Sequence, residues 1–397
     1  MRLKLSKLVS PRFRMLTILL TSSIAFLSSV IAPGLPDLYA EFSDVENAQL
    51  LSRLVLTIPM LFLALFGPFV GLVVDKVGRR KTLIFSIVGF GFSGLSGLVL
   101  ETLTAILISR AILGVFLVGI LTSVTALIGD YYSGEERNRV AGYQSASISF
   151  GTLIYTFLAG LLAEIGWRAT FAVFGVALVL VIPIVISLYE PHTIKDKNSK
   201  ISSKRTSRND LLIVFGIYVL TFLAMVLLFM VPSQTPFFLV DIDVPSPFEA
   251  GLAVGLFSLS GGISSLIFPW LRRQIGVSLI FAFVFADLSI CYILISTSTN
   301  IYDVVIALLI GGFSVGAFLP NATLVILARS APVFRGRALS GLTAAFFLGQ
   351  FASPLYSLPI IKWTSLGQSF FYSGVLAALV STFFIFITIC QKIKKYK

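Results

Sequence analysis

The fold of this chain is decided by one stretch, Gly71-Leu72-Val73-Val74-Asp75-Lys76-Val77-Gly78-Arg79-Arg80-Lys81. One apolar run, residues 54–70, precedes it, and another, residues 82–100, follows it. Each run is close to the roughly 20 apolar residues that cross a bilayer as a helix. A short loop with four cations and one acid between two such runs must lie at a membrane surface.

Apolar runs of this kind recur along almost the whole chain of 397 residues, of which 57% are hydrophobic and 12% charged. A soluble domain carries about 25% charged residues. The runs are continuous and not alternating, which favours spanning helices over a barrel. We predict an all-α membrane protein with twelve spans, at residues 15–39, 50–72, 82–100, 103–129, 139–163, 168–189, 211–238, 248–270, 277–297, 302–328, 338–361 and 367–390.

The net charge of +12 follows the predicted topology. Of the 30 Lys and Arg residues, all but Arg53, Arg110, Arg168 and Lys362 fall in the termini and loops of one side. The positive-inside rule therefore predicts that both termini are cytoplasmic. The basic side is expected to meet anionic membrane lipids, and we predict no nucleic-acid partner.

Enzyme and metal chemistry are not expected. Cys291 and Cys390 lie in or at the end of apolar runs, and His192, the single histidine, lies in a polar loop. These residues form no pattern typical of a metal site or of Ser-His-Asp catalysis. The Gly-x4-Gly-Lys-(Ser/Thr) phosphate loop is absent from the sequence. We expect no cofactor, no metal and no enzyme activity.

The chain is predicted to consist of two halves, residues 1–189 and 211–397, joined by a basic cytoplasmic linker at 190–210. An offset of 198 residues relates Gly78 to Gly276 and Gly114 to Gly312. The same offset relates the pair Arg137 and Arg139 to the pair Arg335 and Arg337. These coincidences indicate two pseudo-symmetric six-helix bundles that arose by duplication, with Gly114 and Gly312 as packing positions.

The loop pattern Gly-x3-Asp-(Lys/Arg)-x-Gly-Arg-Arg-Lys between spans 2 and 3 resembles the signature loop of the major facilitator superfamily of secondary transporters. Arg110-x3-Gly114 resembles the superfamily's motif in span 4, and Trp167-Arg168 precedes span 6. Together these motifs resemble the twelve-helix drug:proton antiporter branch. The resemblance covers residues 15–390.

The resemblance implies that the signature loop forms the inner gate of an alternating-access carrier. In the superfamily the acid of this loop meets the start of span 11, here near Arg337. Our hypothesis is that Asp75→Asn weakens transport and leaves folding intact. The predicted gating residues are Gly71, Asp75, Lys76, Gly78, Arg79 and Arg80.

Polar and aromatic residues within apolar spans are candidates for the substrate cavity, and an interhelical hydrogen bond is the alternative for each polar residue. Family exporters often carry an acid in span 1 where this chain has Ser29. The candidates are Ser29, Tyr155, Tyr218, Phe222, Gln234, Asn321 and Gln350.

Three ionisable residues within the spans are candidates for proton coupling, because charges at membrane depth are costly and usually functional. They are Asp37 at the outer end of span 1, Arg110 in span 4 and Asp287 in span 9. For Arg110, a structural ion pair is the alternative. For Asp287, pairing with a neighbouring helix is the alternative.

We therefore predict a monomeric carrier in a bacterial plasma membrane that exports a small, partly hydrophobic compound in exchange for protons. An importer and a sugar or metabolite facilitator are the alternatives within this class. Tyr155-Thr156 stands where family antiporters carry Gly-Pro, which weakens the prediction of antiport. A membrane-embedded enzyme and a receptor are the alternatives from other classes. The substrate, its direction of transport and the coupling acid stay open.

Overall fold

The computed structural model describes residues 10–190, 207–331 and 334–396. These residues are almost entirely helical, and eleven of their helices are long and apolar enough to cross a membrane. Packing divides the chain into two compact units, Met1–Lys200 and Ile201–Lys397. Most of the predicted linker, 190–210, lies outside the described residues.

The first unit contains eight α-helices within residues 10–190, and several of them join end to end into one span. Their bounds are α1 Pro11–Ser23, α2 Leu35–Glu41, α3 Ala48–Val77, α4 Arg79–Leu95, α5 Leu103–Tyr131, α6 Gly134–Ala163, α7 Gly175–Val179 and α8 Val181–Ser187. Helix α5 packs against α3 and α4, and α6 packs against α1.

The described residues of the second unit form six α-helices. Their bounds are α9 Arg208–Leu228, α10 Met230–Asp241, α11 Pro247–Thr297, α12 Ile301–Arg329, α13 Arg335–Trp363 and α14 Leu366–Tyr396. Helix α11 packs against α12 and α14, and α9 packs against α13.

Helix α11 contains two membrane crossings. It has 51 residues, and a straight helix of that length would be about 77 Å long, more than twice the thickness of a hydrocarbon core. At Gly276 the backbone leaves the helical conformation, with φ 73° and ψ −178°. The two parts correspond to the predicted spans 248–270 and 277–297, so the described helices fit the expected twelve-helix fold.

The first span differs from the continuous helix that the sequence predicts. It contains α1, two 3₁₀ segments at Ile24–Ser29 and Ala32–Gly34, and then α2. Pro33 provides no backbone N–H for an α-helical hydrogen bond, and a short 3₁₀ segment tolerates that loss. The span therefore changes its helical geometry midway, where Ser29 lies.

Glycines allow close helix contacts at equivalent places in both units. A Cβ atom at Gly114 would lie 2.5 Å from the carbonyl oxygen of Pro59, where α5 crosses α3. A Cβ atom at Gly312 would lie 2.5 Å from the carbonyl oxygen of Phe257, where α12 crosses α11. Any larger residue at either position would push two helix backbones apart.

Candidate functional site

The turn of the signature loop is held by a carboxylate that the sequence analysis assigned only to the linker. Gly78 adopts φ 108°, and the backbone N–H groups of Arg79 and Arg80 donate to Glu190 over 2.6 and 3.0 Å. These are the first N–H groups of α4, where the helix dipole favours a negative charge. Glu190 thus caps the N-terminus of α4. The only feature of the sequence that points to this role is the position of Glu190 directly after predicted span 6.

A second acid, Asp130, also holds the loop. Arg79 Nε lies 3.0 Å from Asp130, at the end of α5, and Arg79 Nη2 lies 3.7 Å from Asp75. The Asp75 side chain is 73% exposed. Asp130 was absent from our predicted gating residues, because nothing in its sequence context distinguishes it from a surface acid.

Two other predicted gating residues differ in their surroundings. Arg80 Nη2 donates to the carbonyl oxygen of Val185 over 2.9 Å, and Lys76 is exposed. A Cβ atom at Gly71 would have no described atom within 4 Å. At Gly78, in contrast, a Cβ would collide with Glu190 at 2.7 Å. The predicted contact between Asp75 and the start of span 11 joins the two units and stays a prediction.

Near this loop, the ends of α1 and α5 are tied to the segment after α8. The Arg14 guanidinium lies 4.7 Å from the ring centre of Tyr189 and 5.6 Å from that of Tyr131. Arg14 Nε donates to the carbonyl oxygen of Ser187 over 3.3 Å. Cation–π contacts of this kind contribute about 0.5–2 kcal/mol. They fix the segment that presents Glu190.

Arg110 is completely buried in α5. Its Nη2 donates to the carbonyl oxygen of Gly94 over 3.1 Å. Its guanidinium lies 4.6 and 4.7 Å from the ring centres of Phe171 and Phe174. Nε and Nη1 have no hydrogen-bond partner among the described residues, and no described acid pairs with the side chain. The Arg110 guanidinium therefore contacts two aromatic rings, and among the described residues it does not form the structural ion pair that was its alternative role.

The candidates on the first span face different environments. The hydroxyls of Tyr155 and Ser23 lie 2.8 Å apart, which joins α6 to α1. Ser29 is buried, and its hydroxyl has no partner among the described residues. Asp37 is exposed in the first turn of α2. The structure therefore brings Tyr155 into helix packing and leaves Asp37 accessible.

A buried polar cluster in the second unit contains two of the predicted cavity residues. Gln234 Nε2, on α10, donates to Ser357 Oγ, on α13, over 2.7 Å. Gln350, Ser353 and Ser357 follow at helical spacing along one face of α13. Ser353 and Ser357 were not among the predicted cavity residues, because small hydroxyl residues are common throughout these spans.

Hydrogen-bonding capacity in this cluster is only partly used. Gln350 Oε1, Ser353 Oγ and the neighbouring Thr235 Oγ1 are buried and have no partner among the described residues. A buried polar group without a partner costs about 1–3 kcal/mol. Such groups are suited to accept or donate a hydrogen bond to a bound molecule. We call Gln234, Thr235, Gln350, Ser353 and Ser357 the polar cluster.

Three other cavity candidates of this unit take part in different contacts. Tyr218 donates through its hydroxyl to the carbonyl oxygen of Ala338 over 2.8 Å, which joins α9 to α13, and Phe222 is 40% exposed. Asn321 accepts a hydrogen bond from Arg272 and donates through Nδ2 to the carbonyl oxygen of Val277 over 3.0 Å. Tyr218 and Asn321 therefore make the interhelical bonds that were their alternative.

Asp287 lies buried between α11 and α12. Its Oδ2 accepts a hydrogen bond from the backbone N–H of Ser314 over 3.0 Å, and 8% of the residue is exposed. A cation does not pair with it in the described parts of the chain. An intramembrane carboxylate in this position is a functional candidate by default. Across residues 10–190, 207–331 and 334–396, His, Cys, Asp and Glu form no cluster that could hold a metal.

The family is decided by a match of the Major Facilitator Superfamily model to residues 17–303, more than two thirds of the chain. The chain belongs to this superfamily. It is a multi-pass membrane transporter, and its fold and family are those of transporters and not of enzymes. The signature loop at residues 71–81 lies within the matched region.

Among curated relatives, superfamily members named for drug resistance are similar to this chain. The multidrug resistance protein MdtG of Proteus mirabilis is 28% identical over 82% of this chain and 83% of the relative. Multidrug resistance protein 1 of Bacillus subtilis is 31% identical over 48% of this chain and 49% of the relative. The quinolone resistance protein NorA of Staphylococcus aureus is 27% identical over 32% and 33%, respectively.

Solved structures of the superfamily share the fold. A bacterial homologue of the human lysosomal transporter Spinster, in an inward-facing and occupied conformation, has a TM-score of 0.76 over 96% of this chain and 98% of that one, at 15% identity. The xylose transporter XylE from E. coli, in an inward-open conformation, has a TM-score of 0.74 over 93% and 94%, at 15% identity. These similarities show the fold alone.

Proposed function

We propose that this transporter exports small, partly hydrophobic compounds in exchange for protons. The observation that carries the proposal is the polar cluster, in which buried hydroxyl and amide groups retain unused hydrogen-bonding capacity inside an apolar unit. A site with apolar walls and a few polar groups suits ligands of this class. The names of the multidrug-resistance relatives support the same substrate class.

For proton coupling, we propose Asp287 as the acid that takes up and releases the proton. It is buried and accepts one backbone N–H, whereas Asp37 is exposed at the end of a span. A carboxylate away from water is the costlier of the two to keep charged, so its proton occupancy can be linked to helix rearrangement. Arg110 is proposed to hold α5 against the 3₁₀ segment at Trp167–Phe174.

The proposed location is a bacterial plasma membrane, with both termini cytoplasmic. The asymmetric distribution of Lys and Arg supports this orientation. We propose a monomer whose energy source is the proton gradient and whose partners are the substrate, protons and lipids, without a cofactor.

The proposal is tested with the purified full chain in proteoliposomes whose lumen is more acidic than the outside. A quinolone and the lipophilic cation ethidium are added in turn, and lumenal pH is followed with a trapped dye. Export by antiport predicts uptake of the compound together with proton release. Compound flux without proton movement would overturn coupling, and absence of flux for both probes would overturn the proposed substrate class.

Single-residue variants distinguish the residues that couple protons from those that bind the compound. Asp287→Asn is expected to abolish proton release, and Asp37→Asn is expected to leave most of it. Ser353→Ala and Gln350→Ala are expected to raise the KM for the compound with little change in the maximal rate, because they remove binding groups. Loss of proton release in Asp37→Asn alone would assign coupling to α2.

Facilitated diffusion is the second candidate. It is favoured by Tyr155-Thr156, which stands in the place of the family's Gly-Pro and bonds α6 to α1 through the hydroxyl of Tyr155. In the same assay, a facilitator would equilibrate the compound at equal rates with and without the pH gradient.

A further inference from the structure

An apolar groove runs along the outside of the second unit between α9 and α14. Its volume is about 520 Å³, and all of its lining residues are apolar. Ile213, Gly216 and Leu220 line one side, and Leu379 and Phe383 line the other. Several of these side chains are strongly exposed, including Leu379 at 64% and Phe383 at 58%.

The groove has the length of one membrane leaflet. Its residues on α9 extend from Ile213 to Leu223, which is about 15 Å along a helix and half of a hydrocarbon core of about 30 Å. Ile213 follows the start of α9 by five residues, so the groove begins close to the membrane surface at the basic end of the unit.

That end of the groove is positively charged. Arg208 is exposed in the first turn of α9. Asp210 beside it is paired with Arg329, whose Nη1 lies 3.3 Å from the carboxylate, so this acid does not oppose the charge of Arg208.

We propose that this groove binds an anionic phospholipid, with an acyl chain between α9 and α14 and the phosphate at the basic end. An acyl chain matches the apolar walls and the one-leaflet length. The positive charge of Arg208 at the mouth favours an anionic headgroup over a zwitterionic one, at about 1 kcal/mol for a basic residue near the surface. The site would hold one lipid more tightly than the surrounding lipids and would brace α9 against α14.

Gly216 gives a direct way to fill the groove. A Cβ atom there would have no described atom within 4 Å, so a larger side chain enters open space and leaves helix packing intact. Gly216→Phe therefore occupies the groove without disturbing the unit. Ile290→Phe is the matched control, because Ile290 is 52% exposed on α11 and does not line the groove.

The test is native mass spectrometry of the purified full chain with phosphatidylglycerol and phosphatidylcholine of identical acyl chains. The wild type and Ile290→Phe are expected to retain one phosphatidylglycerol in preference to phosphatidylcholine, and Gly216→Phe to lose that preference. Arg208→Gln is expected to weaken retention of phosphatidylglycerol by about fivefold, the change that corresponds to about 1 kcal/mol.

Equal retention of the two lipids by the wild type, or unchanged retention in Gly216→Phe, would overturn the proposal. The same spectra show oligomers. A wild-type dimer that Gly216→Phe abolishes would assign the groove to a second copy of the chain and overturn the lipid as its occupant. Transport is not measured, so the result is independent of the proposed substrate and coupling.

Discussion

Gly78 and Gly276, which are 198 residues apart, both adopt backbone conformations that are almost confined to glycine, at φ 108°, ψ 151° and φ 73°, ψ −178°. Both lie between two spans at the basic end of their own unit. Around Gly78, three acids contact the turn: Glu190 and, through Arg79, Asp130 and Asp75.

Around Gly276 the supporting contacts are made by a neutral side chain. Asn321 accepts from Arg272 and donates to the carbonyl oxygen of Val277, on either side of the turn. No described atom lies within 4 Å of a Cβ position at Gly276. The turn of the second unit is therefore less crowded and has no acid against its first N–H groups among the described residues.

The two turns share a glycine backbone conformation and differ in the side chains that surround it. A reversal between two spans at this place requires a backbone that other residues adopt only with strain, so both copies keep glycine. The side chains around the turn need only satisfy the freed polar groups, which carboxylates and an amide can both do. Contacts between charges weaken as salt is raised, so the stability of the first turn is expected to depend on salt more than that of the second.

Glycine replacement should produce the largest difference between the turns. Gly78→Ala is expected to lower the free energy of unfolding by about 3 kcal/mol, because the strained backbone is combined with a collision against Glu190. Gly276→Ala carries the backbone strain alone, about 1–2 kcal/mol. The thermal unfolding midpoints of the two purified variants in one detergent provide the measurement. If both variants lost the same free energy of unfolding, the Glu190 side chain would move away from the added Cβ atom at no energetic cost.

Loss of the amide should destabilise the second unit by no more than the Gly78 replacement destabilises the first. Asn321→Leu leaves Arg272 and the Val277 carbonyl group without their partner, at a cost of about 1–3 kcal/mol. Thr323→Val is the control, since its hydroxyl bonds only to the Leu319 carbonyl of its own helix. If Asn321→Leu left the thermal midpoint unchanged and altered the KM for the substrate, Asn321 would be a substrate-binding residue and not a structural one.

Neutralising the cap should weaken the first turn by about 1 kcal/mol. Glu190→Gln keeps an acceptor oxygen but removes the charge that the α4 N-terminus favours. Amide hydrogen exchange at Arg79 and Arg80 is expected to accelerate by about fivefold, and the difference should shrink as salt is raised. Glu136→Gln, at the N-terminus of α6, should leave both amides unchanged. Equal acceleration in that control would remove the specific role of Glu190.

The smallest effect on stability is expected at Asp75. Its side chain is 73% exposed and its nearest described cation is 3.7 Å away, so Asp75→Asn should change the free energy of unfolding by less than about 0.5 kcal/mol. Transport of the probe compound is nevertheless expected to slow, because the gating role predicted for this acid lies outside its own unit. Glu46→Gln, an exposed acid of the outer loop, is the control at matched protein amount. Normal flux of the probe compound through the Asp75→Asn variant would contradict the gating hypothesis.

The spans could be predicted from the sequence because the bilayer imposes one simple requirement, about 20 apolar residues for each crossing. Two details were missed. The 3₁₀ segments of the first span depend on the local backbone geometry around Pro33. The continuation of α11 through 51 residues depends on how helix ends meet. Neither leaves a clear trace in hydropathy.

The candidate site was only partly predictable for the same reason. Gln234, Gln350 and Asp287 stand out as polar residues in apolar runs, and each lies in a buried place. Glu190 and Asp130 looked like ordinary acids at the ends of spans, because sequence shows no distance between segments. Their role becomes visible only when α4, α5 and the end of α8 meet.

Composition and the signature loop by themselves predicted a membrane transporter of twelve spans, which the superfamily match and the fold confirm. Each of these properties can be counted along the sequence. The fixed thickness and low polarity of the bilayer then determine which segments span it as helices. Tertiary structure alone decided which polar groups have partners: Arg110 between two phenylalanines, Glu190 on a helix N-terminus, and the polar cluster with unused bonds. Hydrogen bonds and cation–π contacts act over a few ångströms between residues distant in sequence, so only packing can establish them.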